Sequence, residues 1–284
     1  MDQLSLDSYL ADLNLPAIRF FPTISSTNDE AWRWIDAGAR HCALVIADEQ
    51  TAGRGRFHRR WVTIRSTGLA FSLILKSPPF DPKLIHRLAG LGALAICDAI
   101  RIKYALSAQI KWPNDVLLNQ RKVAGVLVEA RWVGERLKSA VIGIGINIAS
   151  ESVNPVNFPA DGLDFPATCL ENELERPVER IELLRACLQE FFSRLPWLSS
   201  LDFIREWEAN LAYQDQWVEL SLINSAQSSP QEAAPPPIQV GKVLGLTPNG
   251  SLKLLTRSGE LVTVPVGEIH MRPASADHPA LALD

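Results

Sequence analysis

Two segments of the sequence combine cationic side chains with glycine in a way that suits anion binding. One is Gly53-Arg54-Gly55-Arg56, and the other is KWPNDVLLNQRKVAGVLVEAR, residues 111–131. Arginine presents a planar fork to phosphate or carboxylate, and glycine lets a ligand approach the backbone closely. In the second segment Asp115, Lys122 and Gly125 lie on either side of one predicted turn. A cation, a carboxylate and bare backbone are the components of a site that handles phosphate through a metal.

A third polar segment, Ser26-Thr27-Asn28, follows a short apolar run. Thr27 and Glu30 fit a capping box, which predicts a helix over 27–37 with Thr27 as its N-cap. A helix cap alone would explain these residue types. A helix N-terminus also offers free N–H groups and hydroxyls to a polar ligand, so both interpretations stay open.

The elements that must position these groups follow from hydrophobic periodicity and turn residues. Strands are predicted over 18–21, 43–47, 69–75, 110–118, 123–130 and 137–148. Helices are predicted over 3–15, 27–37, 82–104, 181–195 and 201–212, with a surface loop over 149–177. Within 110–118 the Trp112-Pro113-Asn114-Asp115 sequence predicts an edge or a bulge, because proline cannot donate to a sheet.

The sequence predicts two units and a tail. Residues 1–212 form the larger unit, and 213–272 form a small β-barrel with strands at 216–222, 238–246, 252–257 and 261–266. The Pro-rich segment 224–237 is predicted to be an insertion within the barrel, and 273–284 a disordered tail.

Composition excludes several classes of protein. The formal charge of −4 gives no general reason to expect a nucleic-acid or membrane partner. The longest apolar segment, 84–104, contains five charged or histidine side chains, so we expect a helix of a water-soluble protein. The cysteines have wide, irregular spacing, which indicates neither zinc nor disulfides and favours a cytoplasmic location.

An Arg-rich arm that binds nucleic acid is an alternative for Arg54 to Arg60, since Phe57 and Trp61 could stack on bases. The loop lies between two apolar strands and has no basic surroundings, which argues against this alternative.

The order of these motifs resembles the biotin–protein ligase family. The resemblance rests on the Ser-Thr-Asn motif at 26–28, the EQTAGRGR loop at 49–56, the KWPND and RKVAGVLVE segments, and the Gly-x-Gly-x-Asn motif at 143–147. It is strong over about 20–150 and weak over 213–272. His58 stands where the family usually has glycine, which leaves open how fully the loop closes.

The resemblance implies a two-step reaction. ATP would activate biotin to biotinyl-5′-adenylate, and a lysine of a biotin carboxyl carrier protein or domain, part of acetyl-CoA carboxylase or a related carboxylase, would then take the biotin. The implied catalytic residues are Lys122, Arg54, Arg56 and Asp115, with Asp115 also the candidate ligand of Mg²⁺. The implied binding residues for biotin and ATP are Ser26, Thr27, Asn28, Gln50, Arg54, Gly55, Arg56, Asn114, Lys122, Gly125, Gly143, Gly145 and Asn147.

The resemblance also implies the fold: an α+β domain with a mixed, largely antiparallel sheet and packed helices, then a small SH3-like barrel. A lipoate or octanoyl transferase is the nearest alternative, and the GRGR and KWPND segments favour biotin. Larger relatives carry an N-terminal helix-turn-helix and act as repressors. This chain reaches its Ser-Thr-Asn motif by residue 28, so we expect a monofunctional ligase that does not bind DNA. A homodimer stays open.

Overall fold

A seven-stranded mixed sheet forms the centre of the protein in a computed structural model. The structure describes residues 1–56, 59–78, 80–154, 156, 166–222, 239–266 and 269–274. The strands of this sheet are β1 (Ile18–Phe21), β2 (Leu44–Ala47), β3 (Gly68–Lys76), β4 (Gln109–Lys111), β5 (Asp115–Leu118), β6 (Arg121–Val133) and β7 (Arg136–Asn147).

The strand order is β1-β2-β3-β7-β6-β5-β4. Only the β1–β2 pair is parallel among these neighbours, which confirms the mixed, largely antiparallel sheet. β3, β7 and β6 are long and lie in the middle of the sheet. Gly143 and Gly145 of β7 pair with Leu127 and Gly125 of β6, so the two glycine-containing motifs meet across one ladder.

The hairpin around Asn119 and Gln120 is confirmed. Its first strand was predicted to be continuous, and it is not. Both turn residues have positive φ, 48° and 59°, as a tight hairpin turn requires. The predicted strand 110–118 is instead two short antiparallel strands, β4 and β5, joined by the turn at Trp112-Pro113-Asn114, with a cis peptide before Pro113. Proline and asparagine favour a reversal of the chain here over a bulge.

Six α-helices lie in the described residues: α1 (Gln3–Tyr9), α2 (Thr27–Asp36), α3 (Arg87–Tyr104), α4 (Leu170–Leu174), α5 (Arg180–Arg194) and α6 (Leu201–Ala209). The buried helix α3 packs against β6 and α5. The predicted capping box was wrong by one residue. Ser26 is the N-cap of α2 and its hydroxyl accepts from Asp29 N, which leaves Thr27 as the first helical residue.

The predicted loop 149–177 contains the short helix α4. This helix was not predicted because it is short and because prolines precede it in the sequence.

A second, five-stranded antiparallel sheet follows, consistent with the predicted SH3-like barrel. Its strands are β8 (Trp217–Leu222), β9 (Gln239–Leu246), β10 (Leu252–Leu255), β11 (Leu261–Val264) and β12 (Ile269–Pro273), in the order β11-β10-β9-β8-β12. The sequence did not predict β12, which pairs with β8 and ends in proline at the sheet edge. The predicted insertion 224–237, residues 275–284 of the predicted tail, and His58 lie outside the described residues.

The small sheet packs on the larger unit through specific contacts. The Trp112 indole N–H donates to Gly250 O at 3.0 Å, and Leu246 N donates to Glu208 Oε1 at 2.6 Å. The buried ring of Trp207 lies against Gly90 of α3 and Gly250 of the small sheet. A single hydrophobic cluster therefore contains side chains from both sheets.

Two further observations concern the class of the protein. None of the helices that the structure describes combines the length and the apolar composition that a bilayer crossing needs. All four cysteines are free thiols, and burial raises the pKa of Cys42 to about 11, far from the range in which a thiolate reacts.

Candidate active site

A compact group of amide and hydroxyl side chains lies where the N-terminus of α2 meets the open face of the sheet. Thr27 N and Thr27 Oγ1 both donate to Gln50 Oε1, at 2.8 and 3.1 Å. Gln50 Nε2 donates to Thr63 Oγ1 at 3.0 Å. Ser26, Thr27, Asn28 and Gln50 are each at most 9% exposed. The structure thus brings together the four residues predicted to bind biotin, and we call them the polar pocket.

Ser72 of β3 joins the polar pocket from below. Its Oγ lies 2.6 Å from Asn28 Oδ1 and 2.8 Å from Thr27 Oγ1. An amide oxygen only accepts, so the single Ser72 proton goes to Asn28. The Asn28 Nδ2 then donates to Glu129 Oε2 at 2.8 Å. Both ends of the Asn28 amide are therefore held by protein groups.

Gly143 makes room for Asn28. A Cβ on residue 143 would lie 2.3 Å from Asn28 Oδ1, closer than real Cβ atoms come to any neighbour. The first glycine of the Gly-x-Gly-x-Asn motif is required because a side chain from α2 occupies the space above β7.

A cation and a carboxylate form an ion pair beside the polar pocket. Lys122 Nζ lies 2.8 Å from Asp115 Oδ1, with side chains 27% and 17% exposed. The register of β5 and β6 places Asp115 opposite Gly125, so the three residues predicted to be close across the turn are close. Burial would raise the pKa of Asp115, but the attraction of Lys122 and Lys111 outweighs it and holds that pKa below its usual value.

The ion pair lies at the edge of a flat surface formed by two glycines. Gly125 and Gly145 are paired across β6 and β7, and the half-buried ring of Trp61 covers both. A Cβ on residue 145 would lie 2.3 Å from the Trp61 ring, and one on residue 125 would lie 3.3 Å from it. Lys122 Nζ is 5.6 Å from the centre of the same ring. Trp61 and Lys122 are thus adjacent over bare backbone.

Lys111 was not among the predicted site residues, and the structure places it next to Asp115. The two residues are directly paired across β4 and β5, and Lys111 is 5% exposed. Burial lowers the pKa of Lys111 to about 8, against the opposing attraction of Asp115. Two lysines therefore share one carboxylate.

We call the segment Gly53–Arg56 the glycine-arginine loop. Its two arginines have different surroundings. Arg56 Nη1 donates to Asn114 Oδ1 at 2.7 Å, and the Asn114 amide donates to Val126 O at 3.0 Å. Arg54 instead pairs with Asp29 at 2.7 Å and with Glu129 at 2.9 Å. Gly55 is half-buried in the turn between them. The loop's second arginine is beside the Lys122–Asp115 pair, and its first is fixed to α2 and β6.

Asn147, at the end of β7, holds a neighbouring chain segment. Its Nδ2 donates to Thr168 O at 3.1 Å and lies 3.5 Å from Lys122 O. Thr168 N in turn donates to Lys122 O at 2.9 Å. Asn147 is thus beside the backbone of Lys122.

A cavity of about 280 Å³ adjoins Arg56 and Asn114. Its other walls are mainly apolar and come from α3 and the residues before it, the turn between β4 and β5, β6, and the residue stretch after β11: Ile85, His86, Ala89, Pro113, Val126, Val128, Ala130, Trp132 and Val266. Burial and nearby Arg56 lower the pKa of His86. Val126 contacts α3, whereas Glu129 contacts α2, so the cavity and the polar pocket lie on opposite faces of β6.

Two residues of this site carried a sequence signal that we did not use. Ser72 is the one polar residue within the apolar run of β3, and Glu129 is the one acidic residue in β6. A lone polar group in an apolar strand needs a partner, and here each has one in the polar pocket.

The comparisons with known proteins agree with this geometry. A family model described as Biotin/lipoate A/B protein ligase family matches residues 20–147. The chain is 36% identical over 171 residues to the bifunctional ligase/repressor BirA of Bacillus spizizenii. This alignment covers 60% of this chain and 51% of the relative. It is 41% identical over 126 residues to the biotin–[acetyl-CoA-carboxylase] ligase of Paracoccus denitrificans, covering 44% and 51%. These alignments span about half the length of the curated relatives.

A solved structure is similar over nearly the whole chain. The biotin protein ligase from Aquifex aeolicus in complex with biotin and ATP has a TM-score of 0.73 and 25% sequence identity, and the match covers 91% of this chain and 100% of that one. The α+β fold is therefore confirmed.

Proposed function

Because residues 20–147 match the model of the Biotin/lipoate A/B protein ligase family, we propose that this chain is an ATP-dependent biotin–protein ligase. It activates biotin to biotinyl-5′-adenylate and transfers the biotin to a lysine of a carboxyl carrier protein or domain. The observation that carries this proposal is the position of Lys122, which is paired with Asp115 and lies beside Gly125 and the Trp61 ring.

The first step requires two anions to meet. A biotin carboxylate oxygen attacks the α-phosphorus of ATP, and the bond to the pyrophosphate oxygen breaks. The approach of two negative groups is unfavourable unless fixed cations offset their charge. Lys122 and Arg56 supply two positive charges. Lys122 and, to a smaller extent, Lys111 favour the ionised form of Asp115, which pairs with Lys122 and holds it in place.

In the second step the carrier lysine's ε-amine attacks the acyl carbon. A C–N bond forms, the bond between the acyl carbon and the phosphate oxygen breaks, the attacking nitrogen releases a proton to solvent, and AMP leaves with its negative charge. The same Lys122 stabilises that leaving phosphate. The ordered loop at Gly53 to Arg56 restricts water from the anhydride between the two steps.

The remaining proposed roles follow from position. Ser26, Thr27, Asn28 and Gln50 bind the polar ring of biotin, because their amides and hydroxyls are buried together. Gly125, Gly145 and Asn147 border the space beside Lys122, where the nucleotide would lie against Trp61. Gly143 allows the close approach of Asn28, Gly55 forms the turn between Arg54 and Arg56, and Asn114 positions Arg56.

Mg²⁺ fits this site through Asp115. Among the described residues no group of three or more His, Cys, Asp or Glu side chains could hold a metal ion. Mg²⁺ is often bound by one or two carboxylates together with substrate phosphates and water. Asp115 is ionised, and Lys122 contacts its Oδ1. The other carboxylate oxygen, Oδ2, would bind Mg²⁺, and the ion would neutralise part of the phosphate charge.

We propose three further properties of the protein. The free thiols support a cytoplasmic location. The acidic net charge supports the absence of DNA binding. Residues 1–212 are proposed as the catalytic unit and 213–272 as the barrel.

The test measures exchange of pyrophosphate into ATP that depends on an added carboxylic acid substrate. Biotin, lipoate and octanoate are compared at equal concentrations. We expect exchange with biotin and at most a few per cent of that rate with the other two acids. Faster exchange with lipoate or octanoate would assign the chain to the other branch of its family.

A further inference from the structure

Glu129 receives hydrogen bonds from three residues that lie in two separate segments, α2 and the glycine-arginine loop. Asn28 Nδ2 and Trp32 Nε1, both from α2, donate to its Oε2 at 2.8 and 3.2 Å. Arg54 from the glycine-arginine loop pairs with both of its oxygens, at 2.9 and 3.0 Å. The Glu129 side chain is 23% exposed, so these partners replace most of its contact with water.

The carboxylate determines which way the Asn28 amide points. An ionised carboxylate only accepts hydrogen bonds, so it requires the NH₂ end of Asn28. The other end, Oδ1, then faces the Ser72 hydroxyl at 2.6 Å. A reversed amide would place Oδ1 against Glu129 and NH₂ against the Ser72 hydroxyl. The Ser72 hydroxyl can donate or accept, so it is Glu129 that fixes a single orientation of this side chain in the polar pocket.

The same carboxylate holds the start of the loop. Arg54 Nη2 lies 2.7 Å from Asp29 Oδ1, and its guanidinium also contacts both oxygens of Glu129. Arg54 is thereby clamped between α2 and β6. Charge-assisted pairs of this two-oxygen type are geometrically demanding as well as strong.

We propose that Glu129 is a positioning residue that couples the polar pocket to the glycine-arginine loop, and that Arg54 acts through this carboxylate and does not contact phosphate. This inference rests on the proposed function. Fixing Asn28 favours biotin binding, and fixing Arg54 brings the loop into place before Arg56 engages the reacting groups.

The test compares Glu129→Gln with the parent. Glutamine keeps one acceptor oxygen but removes the charge and presents an NH₂ group to its neighbours. We expect the KM for biotin to rise roughly 10-fold, as the loss of a charge-assisted hydrogen bond implies, with less than about a 3-fold change in the KM for ATP. Amide hydrogen exchange of residues 50–62, measured without ligand, should accelerate.

The matched control is Asp36→Asn. Asp36 also joins α2 to β6, by pairing with Arg131, but it does not contact the polar pocket or the loop. Its variant should keep both KM values and the loop exchange rate of the parent. Arg54→Ala provides a second variant, which should accelerate loop exchange as Glu129→Gln does while raising the KM for biotin less.

The inference would be overturned if Glu129→Gln kept the parent's biotin KM and loop protection, or if both KM values rose equally. A dependence of the KM for ATP on Arg54 larger than that for biotin would return Arg54 to a phosphate-contacting role. Absence of biotin-dependent exchange in the parent would refute the proposed function, and loop hydrogen exchange would still test the clamp.

Discussion

At the scale of single residues, the site depends on a carboxylate shared by two lysines. Asp115 pairs with Lys122 at 2.8 Å and lies opposite the buried Lys111. Lys122 is partly exposed and points into the site, whereas Lys111 is covered. The functional cation is thus held by a carboxylate whose ionised form both lysines favour, Lys122 more than Lys111.

This arrangement predicts a specific pH dependence of stability. The pKa of Lys111 is lowered to about 8 in the folded protein from its ordinary 10.5, so between these values the unfolded chain binds more protons. The free energy of unfolding should therefore gain a contribution as pH rises from 8 to 10.5, of at most about 3 kcal/mol. Lys111→Met should lack this rise.

The measurement is urea unfolding of the parent and of Lys111→Met at pH 7, 8.5 and 10. Subtracting the two series removes the contribution of tyrosines and other groups that titrate in the same range. If the difference in free energy of unfolding between the parent and Lys111→Met stayed constant with pH, Lys111 would have an ordinary pKa that burial does not lower.

At the scale of elements, the glycine-arginine loop combines one fixed and one catalytic arginine. Arg54 is clamped by Asp29 and Glu129, while Arg56 reaches Asn114. Arg56→Gly should leave the polar pocket intact and release biotinyl-adenylate roughly 10-fold faster, because the guanidinium no longer holds the closed loop over the anion. Released adenylate acylates exposed lysines, so bystander proteins should become biotinylated.

Arg60→Gly is the control for this prediction. It makes the same substitution four residues further along the chain, at an exposed side chain that donates to Thr51 O. Adenylate release is measured by rapid filtration, and bystander labelling by avidin blot. Equal retention by the parent and Arg56→Gly would mean that Arg56 does not close the site.

The local pattern of apolar and polar residues predicted most of the helices and strands that form the site. The features it did not predict depend on pairing between segments of the chain. β1 has the predicted bounds, and β7 and α5 begin within one residue of their predicted starts, because alternation and helical periodicity are local. The break of 110–118 into β4 and β5 depends on a chain reversal that hydrophobic pattern does not encode. β12 forms because β8 offers it an edge.

The same distinction applies to the site residues. Lys122, Asp115 and Gly125 were predicted to be close because one hairpin contains them. Glu129, Ser72 and Asn28 lie on three different elements, so only the packing of α2 on the sheet brings them together. Their roles could not follow from spacing along the sequence.

At the scale of the whole molecule, the two sheets share one hydrophobic core. The Trp112 N–H donates to Gly250 O, and the Trp207 ring fills the space between Gly90 and Gly250. The described residues should therefore unfold as one cooperative unit, although two units are proposed from the sequence.

Chemical denaturation tests this expectation, with tryptophan fluorescence and far-ultraviolet circular dichroism as two probes. The two curves should coincide, and Trp112→Phe should lower the free energy of unfolding by about 1 kcal/mol or more through the lost hydrogen bond. Two separate transitions, one unaffected by Trp112→Phe, would show that the small sheet folds independently.

The central claim is that Lys122 supplies the charge that lets a carboxylate attack ATP. The most direct measurement is single-turnover formation of biotinyl-adenylate by the parent, Lys122→Ala and the control Lys83→Ala, whose lysine is exposed outside the site. We predict that Lys122→Ala loses at least about 100-fold in rate while keeping the parent's circular dichroism and unfolding midpoint within a few degrees, and that Lys83→Ala matches the parent. Adenylate formation by folded Lys122→Ala at the parent's rate would contradict the claim.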